Sequence, residues 1–434
     1  MKILFILPLI ISIYSQLTIP FYIEELPKET THDNFIQNLM NTGLYIKIKI
    51  GSNSQELPLL INLISYFTYV INSTEEYNGP KYNIEGSTSY KFISKLSVFG
   101  EDNLLSCHKS KEDFNFNRVK INNLTFYLSS KFHVKKNIRL GGQIGLGLTT
   151  SSSQNLKDTL IQQFYNLEII KEFPFSFVSK NENEGNLIIG NYLYEIKNPY
   201  YNNEDFSIIN LEKIDGDIFW TGNGNIFSGN KELSISEGFI ITSEYGVNFA
   251  NSEYYESIEP YLKNKIENKL CEKKYISVEG IYPDYFNDEN YYYFVCNDNV
   301  DLKDFPSLII KFDKFEFDVE FNYKDLWIDL KGKKYLNILI SDKMESIYSL
   351  YFMFGRMFLK KYDMSFDSDR KIMGIYNKKK KKNNNDGKLL IIIAFLVLIV
   401  IFVFLIRYIV KSYKYRIAKK TAHELTEDGF YSID

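Results

Sequence analysis

The chain has 434 residues, of which 45% are hydrophobic, and its 51 basic side chains against 54 acidic ones leave a formal charge of -3. Its 34 Tyr and 34 Phe need large buried faces, which excludes a wholly disordered chain. The near balance of charge removes the electrostatic footprint of a nucleic-acid binder, so no nucleic-acid partner is expected.

Met1 to Gln16 carries Lys2, then an apolar run from Ile3 to Tyr14, then Ser15. That is the layout of a signal peptide, and the run is too short to span a bilayer. Residues 17–41 form a short segment before the first clear strand. Leu44 to Ile50 alternates apolar and polar residues with period two, which predicts a half-buried strand. Gly51 to Ser54 turns the chain, and Leu57 to Ile71 returns as a second apolar run. Similar short runs follow at Asn186–Ile189, Phe239–Ile241, Leu308–Phe312 and Phe315–Phe321. Helices are expected at Asn155–Asn166 and Ser252–Leu270. Many short strands and few helices predict a mostly β protein.

Residues 377–388 are rich in Lys and Asn, hold no apolar side chain to bury, and read as a solvated spacer. Leu389 to Ile406 is 18 residues without a charge, extended to Val410. At 1.5 Å per residue this run crosses most of a hydrocarbon core about 30 Å thick, so residues 389–410 are expected to be a transmembrane helix. Basic residues flank both ends almost equally, so loop charge does not set the orientation. The signal peptide does. The large domain is placed in the lumen or outside the cell, residues 411–434 become a cytoplasmic tail, and the chain is a single-pass protein of the secretory pathway or cell surface.

Cys271 and Cys296 can close one loop, which leaves Cys107 over. Asn72 and Asn123 stand in N-x-[ST] sequons, the acceptors of N-glycosylation. The histidines, His32, His108, His133 and His423, are scattered, so no metal site is expected. Cys107 and His108 are adjacent and would point to opposite faces of a strand, a poor nucleophile–base pair. No phosphate-cradling glycine loop and no serine elbow occurs, and no cofactor is expected.

Several segments, in order, resemble the pepsin-like aspartic peptidases. Tyr45 to Gly51, followed by Gln55 and Leu57 to Ile71, resembles that family's first hairpin. Gly86 to Tyr90 resembles its serine-rich stretch, and Asn123-Leu124-Thr125-Phe126 its "NQTF"-like strand. Gly142 to Leu148 is similar to "DGILGLG". Phe175-Ser176-Phe177 with Gly185 to Gly190 is similar to "FSF…G-L-x-x-G", and Phe305 to Ile309 after Cys296 to "C…LPxIxF". The longest match is Phe354 to Tyr362, with Phe366-Asp367 and Gly374-Ile375-Tyr376. The resemblance covers residues from about 42 to 376 and implies a bilobal β fold with a cleft between lobes at 42–197 and 198–376. It makes residues 17–41 a short pro-like segment.

Aspartic proteolysis needs two carboxylates that share one proton while activating water. The family supplies each from an Asp-Thr/Ser-Gly loop after an apolar strand. The matching positions are Asn62, with Leu63 and Ile64 after it, and Thr242, with Ser243 and Glu244 after it. Neither Asn62 nor Thr242 ionises near neutral pH. Phe99 stands at the family's flap tyrosine and lacks its hydroxyl. The expectation is an aspartic-protease-like protein that is catalytically inactive and binds a polypeptide in or near the cleft. The alternative, an active pepsin-like endopeptidase, requires another alignment of the two loops.

Overall fold

The structure is a computed structural model and describes residues 16–74, 79–98, 105–131, 140–148, 156–195, 206–211, 220–233, 238–278, 289–313, 315, 317–341, 352–376 and 385–428. The expected signal peptide, Phe99, the expected lobe boundary near residue 197 and the expected spacer to residue 384 lie outside these residues, apart from Gln16. Two units divide between Asn377 and Lys378.

The first unit is built on a 13-stranded sheet, a nine-stranded sheet and a four-stranded sheet. The alternation at Leu44–Ile50 becomes a strand with those bounds, its Leu44, Ile46, Ile48 and Ile50 buried and its two lysines outward. It pairs antiparallel with Gln55–Asn62 through a turn in which Gly51 takes φ 82° and Ser54 φ 54°. Leu17–Ile23, the start of the pro-like segment, is also a strand, seated between Glu184–Ile189 and Leu44–Ile50. Pro20, which has no N–H to give, faces Asn186 alone, because pairing with Leu44–Ile50 begins at Phe21.

The same arrangement occurs once in each half of the unit. Gln55–Asn62 runs parallel to Gly142–Gly145, and Phe239–Ile241 runs parallel to Phe352–Phe354. The first of these apolar strands ends at Asn62 and the second ends one residue before Thr242, the two positions singled out from the sequence. The halves are also joined by their sheet. Phe175–Ser179 pairs with Asp363–Asp367, which pairs in turn with Ile372–Tyr376 and so leads to Phe206–Asn210. The apolar interior is continuous from Leu17 to Ile375, with Trp220 fully buried within it.

Most of the expected elements form, with shifted ends. Asn155–Asn166 resolves into a 3-10 turn at Leu156–Asp158 and a helix at Leu160–Asn166, capped by the Thr159 side chain. The long helix covers Ser252–Glu267, starts on an Asn251 cap, and stops before Leu270 because Lys269 turns left-handed at φ 59°. Among the described residues of the run Phe315–Phe321, only Val319–Phe321 is strand. Before it, the rings of Phe312 and Phe315 stack at 4.2 Å across a turn closed by the Phe315 N–H on the Phe312 carbonyl. The expected disulfide joins Cys271 to Cys296, which face each other across an antiparallel pair, and Cys107 is buried outside that bond.

The second unit is a helix, Asn385–Asp428. Among the described residues no helix is long and apolar enough to cross a membrane. The apolar run expected to do so begins at Leu389, and the side chains of residues 385–397 are outside the described residues. The transmembrane reading therefore rests on the sequence alone.

Candidate active site

The parallel pairing of Gln55–Asn62 with Gly142–Gly145 brings the chain beyond Asn62 onto the chain beyond Gly145. The Leu146 N–H donates to the Asn62 carbonyl at 2.8 Å and the Gly147 N–H to the Ser65 carbonyl at 2.9 Å. Gly142, at φ 145°, lies where an added Cβ would collide with the Tyr69 backbone, so only glycine fits. The Thr68 hydroxyl accepts from the Gly145 N–H at 3.2 Å.

Within this frame Asn62 is fully buried. Its Oδ1 accepts from the Ile64 N–H at 2.8 Å and the Ser65 N–H at 2.6 Å, folding the loop around the side chain. Its Nδ2 donates to Gln143 Oε1 at 2.9 Å, and Gln143 Nε2 donates onward to the Phe67 carbonyl at 3.1 Å. At neutral pH an amide suits this chain and a carboxylate does not, because one end accepts and the other donates. Gln143 was not anticipated. The only local signal for it is a lone long polar side chain inside a Gly- and apolar-rich run.

The second loop repeats the pattern with smaller groups. Thr242 is fully buried, its N–H donates to the Phe354 carbonyl at 2.9 Å, and its hydroxyl accepts from the Glu244 N–H at 3.2 Å. The two loops meet through Ser243, whose Oγ donates to the Ile61 carbonyl at 2.7 Å. Asn62 and Thr242 are thus neighbours in sequence of the two residues that touch. At the position corresponding to Ser243, the first loop has Leu63, also fully buried, which offers no hydroxyl in return. The sequence carries no signal for this bond, since Ile61 and Ser243 are separated by 182 residues.

The surroundings of the loops are apolar. Ile64, Ile240, Tyr245, Val247 and Met353 pack in one cluster with Phe35, Ile36, Leu39 and Met40 of the helix Phe35–Met40. Burial of large apolar side chains of this kind contributes about 1.5–3 kcal/mol each. The segment leading to that helix is held by polar contacts too. Arg356 donates to the Glu24 carbonyl at 3.2 Å, Lys331 to the Thr30 carbonyl at 3.0 Å, and His32 Nδ1 lies 2.7 Å from the Tyr335 hydroxyl. Burial pulls the Arg356 guanidinium down to about 10, partly opposed by Glu24. Burial likewise pushes the Tyr335 phenol up to about 12. Gly246 lies so close to Leu39 that a Cβ there would strike the Leu39 carbonyl and the Thr42 hydroxyl.

A duplicated strand-and-loop frame whose loops touch at their tips is the architecture of the family that the motifs resembled. The eukaryotic aspartyl protease model matches residues 44–377, well over half of the chain. The chain belongs to the eukaryotic aspartyl protease family. No curated protein matches it at a significant level. Within a member of this family, the only acidic residue in Leu59–Thr68 or Phe239–Gly246 is Glu244. It is itself buried, at 8% exposure, on the second loop. Among the described residues no group of three or more His, Cys, Asp and Glu side chains is placed to hold a metal ion.

Proposed function

We propose that this chain is a non-proteolytic member of the aspartyl protease family, tethered to a membrane, that acts by binding a polypeptide partner. The observation that carries the reading is the chemistry of Asn62. Fully buried, it accepts two backbone N–H groups at one end and donates to Gln143 at the other. General-base activation of water needs a group that gains and loses a proton near working pH, and an amide does neither. Thr242, the partner position, is an alcohol engaged by its own loop.

The tether is the apolar run of residues 389–410. On its described part Leu398, Phe402 and Phe404 expose about two-thirds of their surface, which suits lipid better than water. A signal peptide at residues 1–16 and the Cys271–Cys296 disulfide support a lumenal or extracellular domain.

Purified full-length chain is expected to leave a mixed peptide library intact between about pH 3 and 7, with or without a pepstatin-type inhibitor. Inhibitor-sensitive cleavage would overturn the reading. In sealed vesicles with the cytosolic side out, added protease should digest only residues 411–434. Digestion of the large domain would overturn the orientation.

A further inference from the structure

The two sequons differ sharply in where the fold puts them. Asn72 follows the strand Tyr69–Ile71 and is buried, at 6% exposure. It forms a parallel bridge with Tyr82, its N–H donates to the Ser129 hydroxyl at 3.4 Å, and its Oδ1 accepts from Ser73 Oγ at 3.4 Å. A sugar on its Nδ2 would have to displace the chain around it.

Asn123 is the reverse case. It lies in Val119–Lys131 at an irregularity where the register against Leu105–Phe116 shifts, between the pairs Phe114↔Ile121 and Glu112↔Leu124. Its backbone is left-handed at φ 58°, a conformation Asn tolerates better than most residues. The N–H is held by Asp113 Oδ1 at 3.2 Å, while the side chain is exposed and meets Lys91 Nζ at 2.9 Å on the surface. Backbone bonds fix the site and leave the amide facing solvent.

We propose that the folded protein carries one N-linked glycan, on Asn123, and none on Asn72. This rests on the lumenal placement of the domain proposed above. In the transfer, Asn123 Nδ2 forms a bond to the anomeric carbon of an oligosaccharide carried on a polyisoprenyl pyrophosphate. The bond from that carbon to the pyrophosphate oxygen breaks, the pyrophosphate leaves with its electron pair, and the amide nitrogen gives up a proton.

The test is expression of the full chain in a glycosylating eukaryotic cell, with gel mobility read before and after peptide N-glycosidase. Wild type should shift by one step. Asn123→Asp, which keeps a residue tolerant of left-handed backbone, should abolish the shift. Thr74→Ala, which removes the other sequon without altering buried Asn72, should leave it unchanged. Leu270→Thr, which makes exposed Asn268 an acceptor, is added to Asn123→Asp as a reporter of translocation. A two-step shift in wild type, or a shift lost in Thr74→Ala, overturns the assignment. A shift restored by the reporter when wild type shows none also overturns it, and leaves the lumenal placement standing. If the reporter too stays unmodified, the lumenal placement has failed and the assignment falls with it.

Discussion

Replacing Asn62 by Asp puts an acid at the position proposed to correspond to one of the family's catalytic aspartates, and the fold is expected to resist it. The two N–H donors from Ile64 and Ser65 would accept the change, since a carboxylate oxygen receives them as well as an amide oxygen does. The other end would not. A second carboxylate oxygen would face Gln143 Oε1 in place of a donor at 2.9 Å. Losing that bond costs about 1 kcal/mol, and setting two buried acceptors against each other adds about 1–3 kcal/mol. Rotating Gln143 to present its Nε2 would abandon the Phe67 carbonyl, so the rearrangement recovers only part of the loss. The expected penalty at pH 7 is about 2–4 kcal/mol. Burial raises the pKa of such a carboxyl, so its cost is present above the folded value and vanishes below the unfolded value of about 3.9. A protonated Asp can donate to Gln143, and the deficit should therefore shrink as pH falls. Urea unfolding of wild type and Asn62→Asp at pH 7 and again near pH 3.5 measures both effects. A variant as stable as wild type at pH 7, or one that cleaves peptides, would refute the account of the site.

Phe35→Ala should destabilise the large domain by about 3–5 kcal/mol, because Phe35 is fully buried with its ring 4.5 Å from Tyr335. Thermal unfolding reads this, and a loss under about 1 kcal/mol would mean that the N-terminal segment is dispensable to the core. Ser243→Ala removes the hydroxyl bonded to the Ile61 carbonyl and should cost about 1–3 kcal/mol, with Ser243→Thr retaining most of the stability in the same urea titration. Tyr335 and Tyr362, each pushed up to about 12 by burial, stay neutral in the folded chain at pH values where an unfolded tyrosine ionises. Their stabilising contribution is whole below about pH 10 and drains away between about 10 and 12. Phenolate absorbance should rise in step with loss of near-ultraviolet dichroism over that window. Ionisation well before the dichroism changes would contradict the burial.

What the sequence revealed follows from the range over which each signal acts. Leu44–Ile50 announced itself because alternation is local, and the strand has the expected bounds. The helix Ser252–Glu267 and the Cys271–Cys296 bond were legible for similar reasons, the second because few cysteines left few choices. The strand Leu17–Ile23 was not legible. It contains Pro20, and six of its residues find their register against the distant Glu184–Ile189, with only Phe21 to Ile23 paired to the nearer Leu44–Ile50. The candidate loops were found as strings, yet what fills them was not. Gln143 reaches Asn62 across 81 residues, and Phe35 meets Tyr335 across 300. Contacts of that separation depend on register and on the closing of the sheet, and leave no periodic trace in either partner.

The last strand of the domain, Ile372–Tyr376, lies between two neighbours and matches five residues with Phe206–Asn210 and five with Asp363–Asp367. Any pull transmitted along the chain beyond Tyr376 enters the domain at this strand. To give way, the strand must part from both flanks, and Met373 and Ile375 must leave the core with it. A protein tied down at this end would carry tension into a strand flanked on both sides, where load is shared by two ladders instead of peeling a single free edge.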